Sequence, residues 1–156
     1  MIQGAKDQKA NKFVKTYISC LHDKEEMQLR TGIKGVESVV VNETNTAKYV
    51  GSGTLEVFAT PSMVALMEKT AWKSVERELE EGCGTVGIRL EVSHDAPTPL
   101  GMRVTCESEL VKVEGRKLTF EVRAYDERGD IGKGIHERFI VNEKSFQEKA
   151  LRCDTI

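Results

Sequence analysis

At 156 residues the chain has the length of one compact domain with a single core. Its 39% hydrophobic and 31% charged residues exclude a disordered or collagen-like chain. The net charge of −2 is made of cations spread along the sequence, which excludes a basic stripe for nucleic acid while leaving room for a single anionic ligand. The longest uncharged stretch is the eleven residues 57–67, well short of the roughly 20 apolar residues of a membrane helix, so no bilayer span is expected.

Residues 1–30 carry Phe13, Tyr17, Ile18 and Leu21 at helical spacing in a charged background. They predict an amphipathic N-terminal helix, an appendage that docks on the main domain or on a partner chain. Lys6, Lys9, Lys12 and Lys15 leave no unbroken apolar core for a secretory signal, so the cytoplasm is the expected location. The scattered Cys20, Cys83, Cys106 and Cys153 form no CxxC pair and have no His at ligand spacing; idle thiols and no metal site are expected.

The main domain is expected over 31–150, with 151–156 as a tail. Val36, Val39, Val40 and Val41 form a branched run that reads as a first strand, ended by the polar cluster 42–46. Asn45 is placed to cap a short helical turn through Tyr49, followed by the flexible Gly51-Ser52-Gly53. Thr60-Pro61 is a helix start with Thr60 as the cap. Met63, Met67, Ala71 and Val75 make one apolar row, which Val64, Ala65 and Leu66 widen almost to a full circle, predicting a buried helix. Its charged second half, 73–81, runs out at Gly82 and Gly84.

Four strands are then expected, at about 85–94, 103–113, 118–126 and 132–141. Val86, Ile88, Leu90 and Val92 alternate with polar residues, and His94 continues that inward phase if no bulge intervenes. His136 lies out of phase with Ile131, Ile135, Phe139 and Val141. Glu114-Gly115 and Arg128-Gly129 read as tight turns. One apolar helix and a five-stranded antiparallel sheet suit each other when the sheet curves around the helix, which is the hotdog arrangement. The exposed sheet edges left by such wrapping predict a homodimer.

Three side chains stand out chemically. Glu68 lies two turns into the apolar helix, where a carboxylate loses water and needs a function or an ion-pair partner, unless its position faces solvent as the neighbouring Lys69 allows. His94 is either a hydrogen-bonded core residue or a proton carrier. Thr60 at the helix N-terminus sits where backbone N–H groups favour developing negative charge.

The run Glu56-Val57-Phe58-Ala59-Thr60, the helix through Val64 and Glu68, Thr85-Val86-Gly87 leading to Val92-Ser93-His94, and His136-Glu137-Arg138-Phe139-Ile140 together resemble the fluoroacetyl-CoA thioesterase-like hotdog family, over about residues 33–146. The resemblance implies that Thr60, Glu68 and His94 act together on an acyl-CoA thioester while Gly87 and Arg138 assist substrate binding. Coenzyme A then enters as part of the substrate, with no separate cofactor, and its phosphates are expected near Arg138 or Lys34. Gly51, Ser52, Gly53 and Thr54 stand where the fluoroacetyl-specific pattern has lid phenylalanines, implying an open or polar mouth and either another small acyl group or an unspecialised housekeeping hydrolase.

Two other readings share the fold. A non-catalytic acyl-CoA sensor has little use for an unpaired buried Glu68. A dehydratase uses His with an acid, whereas Thr60 preceding Glu68 on one helix favours hydrolysis.

Overall fold

The structure, a computed structural model, describes residues 29–152. The expected N-terminal helix lies outside the described residues, as do Cys20 and Cys153. Strand β1 is Lys34–Val40, helix α1 Ala47–Val50 and helix α2 Thr60–Val75; strands β2 Cys83–His94, β3 Arg103–Glu114, β4 Lys117–Asp126 and β5 Gly129–Asn142 precede helix α3, Glu143–Leu151. The strands form one antiparallel sheet in the order β1-β3-β4-β5-β2. Helix α2 touches all five strands, so the sheet wraps it.

The apolar row of α2 explains this placement. Met63, Met67, Ala71 and Val75 are wholly buried against Leu110, Leu118 and Phe120 of the sheet. Burying side chains of this size stabilises by roughly 1.5–3 kcal/mol each. Thr70 joins the buried face because its hydroxyl donates to the Leu66 carbonyl at 2.7 Å. The row does not close into a circle: Ala65 is exposed and Val64 half-buried. On the outer side Lys69 and Lys73 reach Glu37 of β1 at 3.4 and 2.9 Å, tying helix to edge strand.

Helix ends differ from the sequence reading. Ala59, not Thr60, is the N-cap residue of α2, and it has no side-chain bond to offer. Thr46 rather than Asn45 caps α1, accepting from Tyr49 N, while Asn45 and Asn42 close a capping box one turn earlier. Helix α2 stops at Val75 and a 3-10 turn follows, well before the charged run ends. Gly82 then takes the left-handed conformation, φ 80°, at the reversal into β2. Helix α3 was not anticipated; its signal is Asn142, whose side chain caps Ser145 N.

Two bulges decide which side chains face α2. The β2–β5 register shifts between Gly87 and Arg89, so Ile88 is an extra residue and is 51% exposed. Thr85 and Gly87 face the helix before it, and Leu90, Val92 and His94 after it. The unbroken inward phase expected from Val86 therefore holds only from Leu90 onward. The β4–β5 register shifts at Ile131, after which His136, Arg138 and Ile140 are buried while Ile135 is exposed. His136 is thus inward-facing, the reverse of the sequence reading, because a one-residue bulge exchanges the two faces of a strand.

Among the described residues no helix is long and apolar enough to cross a membrane, and no cluster of His, Cys, Asp and Glu is placed to hold a metal ion. Burial pushes the Cys106 thiol up to about 11, which leaves it unreactive at neutral pH.

Candidate active site

Because no side chain caps α2, the Thr60 hydroxyl at its first turn is available elsewhere. Its Oγ1 lies 2.8 Å from His94 Nδ1, at the end of β2. The hydroxyl is exposed, whereas His94 Nε2 is buried without a hydrogen-bond partner among the described residues. Burial lowers the His94 pKa, opposed by the Ala96 backbone and the Asp95 charge. The imidazole is therefore neutral at neutral pH and able to accept a proton.

Glu68 stands eight residues further along α2, about 12 Å at 1.5 Å per residue. Its side chain remains 37% exposed, so the carboxylate is less desolvated than the apolar pattern suggests. Oε2 accepts from Arg138 Nη1 at 3.1 Å, which supplies the ion-pair partner that burial calls for. Oε1 has no hydrogen-bond partner among the described residues. Gly87 of β2 lies directly opposite: a Cβ there would stand 2.6 Å from Glu68 Oε2. Only glycine leaves room for the carboxylate.

Arg138 is itself buried and its guanidinium is nearly fully engaged. Nε donates to Thr85 Oγ1 at 2.8 Å, Nη2 to the Thr85 carbonyl at 2.7 Å, and Nη1 also meets His136 Nε2 at 3.1 Å. Burial lowers the Arg138 pKa while the Glu68 charge raises it. Arg138 is thus turned inward and does not stand at a mouth to meet phosphates. Lys34 lies at the sheet edge, 4.0 Å from Glu109, with no contact to these residues.

The five residues singled out in the sequence therefore fall into two groups, Thr60 with His94 and Glu68 with Gly87 and Arg138. Among the described residues Glu68 makes no hydrogen bond to Thr60 or His94. Sequence reasoning missed the contacts of Thr85 and His136 with Arg138, since both depend on bulges that alternation does not reveal. Before α2, residues 51–54 are exposed as expected, but exposed Tyr49, Val50 and Leu55 flank them, so this segment is not purely polar. Backbone bonds from Ala47 N to Val57 O and Ala59 N to Asn45 O tie it to the helix start.

The strand order, with one helix against every strand, defines the hotdog class. Comparison with known proteins narrows this. The profile of the fluoroacetyl-CoA-specific thioesterase family matches residues 41–144. The fluoroacetyl-CoA thioesterase of Streptantibioticus cattleyicolor is 44% identical over 94 residues, spanning 60% of this chain and 68% of that protein. A solved structure of a fluoroacetyl-CoA thioesterase superposes with a TM-score of 0.76 at 36% identity, over 82% of this chain and 98% of the other. A thioesterase superfamily member from Thermus thermophilus gives a TM-score of 0.72 at 31% identity, over 78% and 90% of the two chains. The chain belongs to the fluoroacetyl-CoA-specific thioesterase family, and it is an enzyme of the thioester hydrolase type.

Proposed function

We propose that this protein hydrolyses a short-chain acyl-CoA thioester to the free acid and coenzyme A, with Thr60, Glu68 and His94 carrying the chemistry. One observation carries this reading: Glu68 is anchored through a single oxygen over a glycine, with its other oxygen unpaired among the described residues. Such a carboxylate is oriented yet available. The ion pair with Arg138 replaces the unpaired carboxylate that would separate a hydrolase from a sensor. The monodentate geometry takes over that argument.

Two routes are open to Glu68. As a general base it takes a proton from water while the water oxygen adds to the thioester carbonyl; the tetrahedral oxyanion then collapses and expels the coenzyme A thiolate, which is reprotonated. As a nucleophile its oxygen adds instead, thiolate leaves, and water cleaves the mixed anhydride. In both, the neutral His94 and the Thr60 hydroxyl relay the proton. The developing oxyanion is met by a backbone N–H beside Gly87, where the bulge at Ile88 interrupts the regular strand pairing. Losing one such donor typically costs about 100- to 1,000-fold in rate.

A homodimer is part of the proposal. Pairing two β2 edges antiparallel about a two-fold axis runs the Gly87 end of one strand toward the His94 end of the other. The two groups separated within one chain can thus complete each other across the axis. The acyl group is small and is not assigned to fluoroacetate, given Gly51 to Thr54 in the segment before α2.

The test is an acyl-CoA panel with thiol detection, run on the wild type and on Glu68→Gln. Short acyl-CoAs are expected to be cleaved. The variant keeps an acceptor for Arg138 and should fold, yet lose about 100- to 10,000-fold in turnover. A variant with at least half of wild-type activity removes Glu68 from the chemistry. A panel in which an acyl-CoA binds but none is cleaved makes the protein a sensor.

A further inference from the structure

We propose that His136 is a positioning residue for the hydrolysis, acting through Arg138 to keep one oxygen of Glu68 free. The inference rests on the thioesterase reading and deepens it.

His136 is wholly buried on the inner face of β5, and both ring nitrogens are committed. Nδ1 lies 3.0 Å from the Arg89 carbonyl oxygen, which only accepts, so Nδ1 carries the hydrogen. Nε2 lies 3.1 Å from Arg138 Nη1, which only donates, so Nε2 presents its lone pair. The two contacts together define one neutral tautomer. The groups facing the ring are the Arg138 guanidinium on β5, the Glu68 carboxylate on α2, the Arg89 carbonyl on β2 and the Phe120 ring on β4, whose centroid is 6.4 Å away. Burial lowers the His136 pKa, the Arg89 carbonyl raises it, Arg138 lowers it and Glu68 raises it; the net direction is down. The neutral ring therefore persists through neutral pH.

Arg138 translates this into carboxylate geometry. Thr85 holds Nε and Nη2, so only Nη1 reaches toward the helix. Nη1 has two hydrogens: Glu68 Oε2 takes one and His136 Nε2 the other. Without the lone pair on His136, a buried donor is left unpaired. With Nε and Nη2 still held by Thr85, the freed Nη1 hydrogen then draws in the second Glu68 oxygen, so the reactive oxygen is engaged as well. Protonating His136 has the same effect by setting donor against donor.

His136→Leu removes the acceptor, whereas the amide of His136→Gln can donate to the Arg89 carbonyl and accept from Arg138. Under the proposal the Leu variant loses on the order of 100-fold in kcat, with KM within about threefold, as for misplacement of a catalytic group. The Gln variant recovers most of that loss. A purely structural role lowers the melting temperature of the Leu variant but leaves kcat per folded molecule near wild type, and that result overturns the proposal. Equal losses in both variants also overturn it. If the Leu variant does not fold, imidazole 15N shifts of the wild type decide: a hydrogen on Nδ1 with none on Nε2 supports the arrangement, and the opposite tautomer rejects it. A wild type that cleaves no acyl-CoA defeats the thioesterase reading instead, a result separate from these.

Discussion

Thr60 gives up a local role for a tertiary one. A capping side chain contributes about 1 kcal/mol to a helix, and α2 begins without one because its N-cap residue is Ala59, while the Thr60 hydroxyl one position further on faces His94. Local rules broken in this way concentrate at functional sites. The pKa values of His94 and His136 are both lowered, chiefly by burial. Each imidazole refuses a proton in the folded state that it accepts when unfolded near its ordinary value of about 6.5. The unfolded chain therefore binds more protons below that pH, and folding stability is full above about 6.5 and declines as the pH falls toward the lowered values. Melting temperature measured from pH 8 down to 5 should fall over the lower half of that range. His136→Gln should flatten the decline, and an unchanged slope would show that His136 does not contribute.

At the scale of elements, two glycines on paired strands do different things. A Cβ at Gly87 points at the Glu68 carboxylate, the movable end of a side chain. At Gly134 it meets the Glu91 carbonyl oxygen and the Val92 Cα, both backbone of the neighbouring strand. Gly87→Ala should therefore displace Glu68 and lower turnover with little change in melting temperature. Gly134→Ala should destabilise by about 1–3 kcal/mol, the usual cost of overpacking, while folded molecules keep their kcat. Thermal melts and turnover on the same preparations separate the two outcomes. Strand positions were legible because turn residues and branched runs mark them, as with Gly115 between β3 and β4. Strand faces were legible only as far as the bulges, so Ile88 and His136 were placed on the wrong sides.

In the whole molecule Thr60 and His94 stand apart from Glu68 within one chain. Long edge strand β2, paired only with β5, is the surface a second copy would cover. If each site draws Glu68 from one protomer and His94 from the other, co-expressed Glu68→Gln and His94→Ala chains should regain activity that neither homodimer has. Random assembly makes half of the dimers mixed, each with one intact site, so about a quarter of wild-type turnover is expected. No recovery in mixed dimers of verified composition would place each complete site within one chain.

From β1 to β5 the element types and their order follow from the sequence alone, because the periods of apolar residues, near 3.6 along 63–75 and 2 along the strands, depend only on neighbours in the chain. Together with the resemblance it also picked out Thr60, Glu68, His94, Gly87 and Arg138. Tertiary structure alone decided which of these touch. The bulges at Ile88 and Ile131 arise from pairing with another strand, and they turn Thr85 and His136 onto Arg138 and Arg138 onto Glu68. Side-chain contacts across strands depend on register, and register is a property of two chain segments that no single segment encodes.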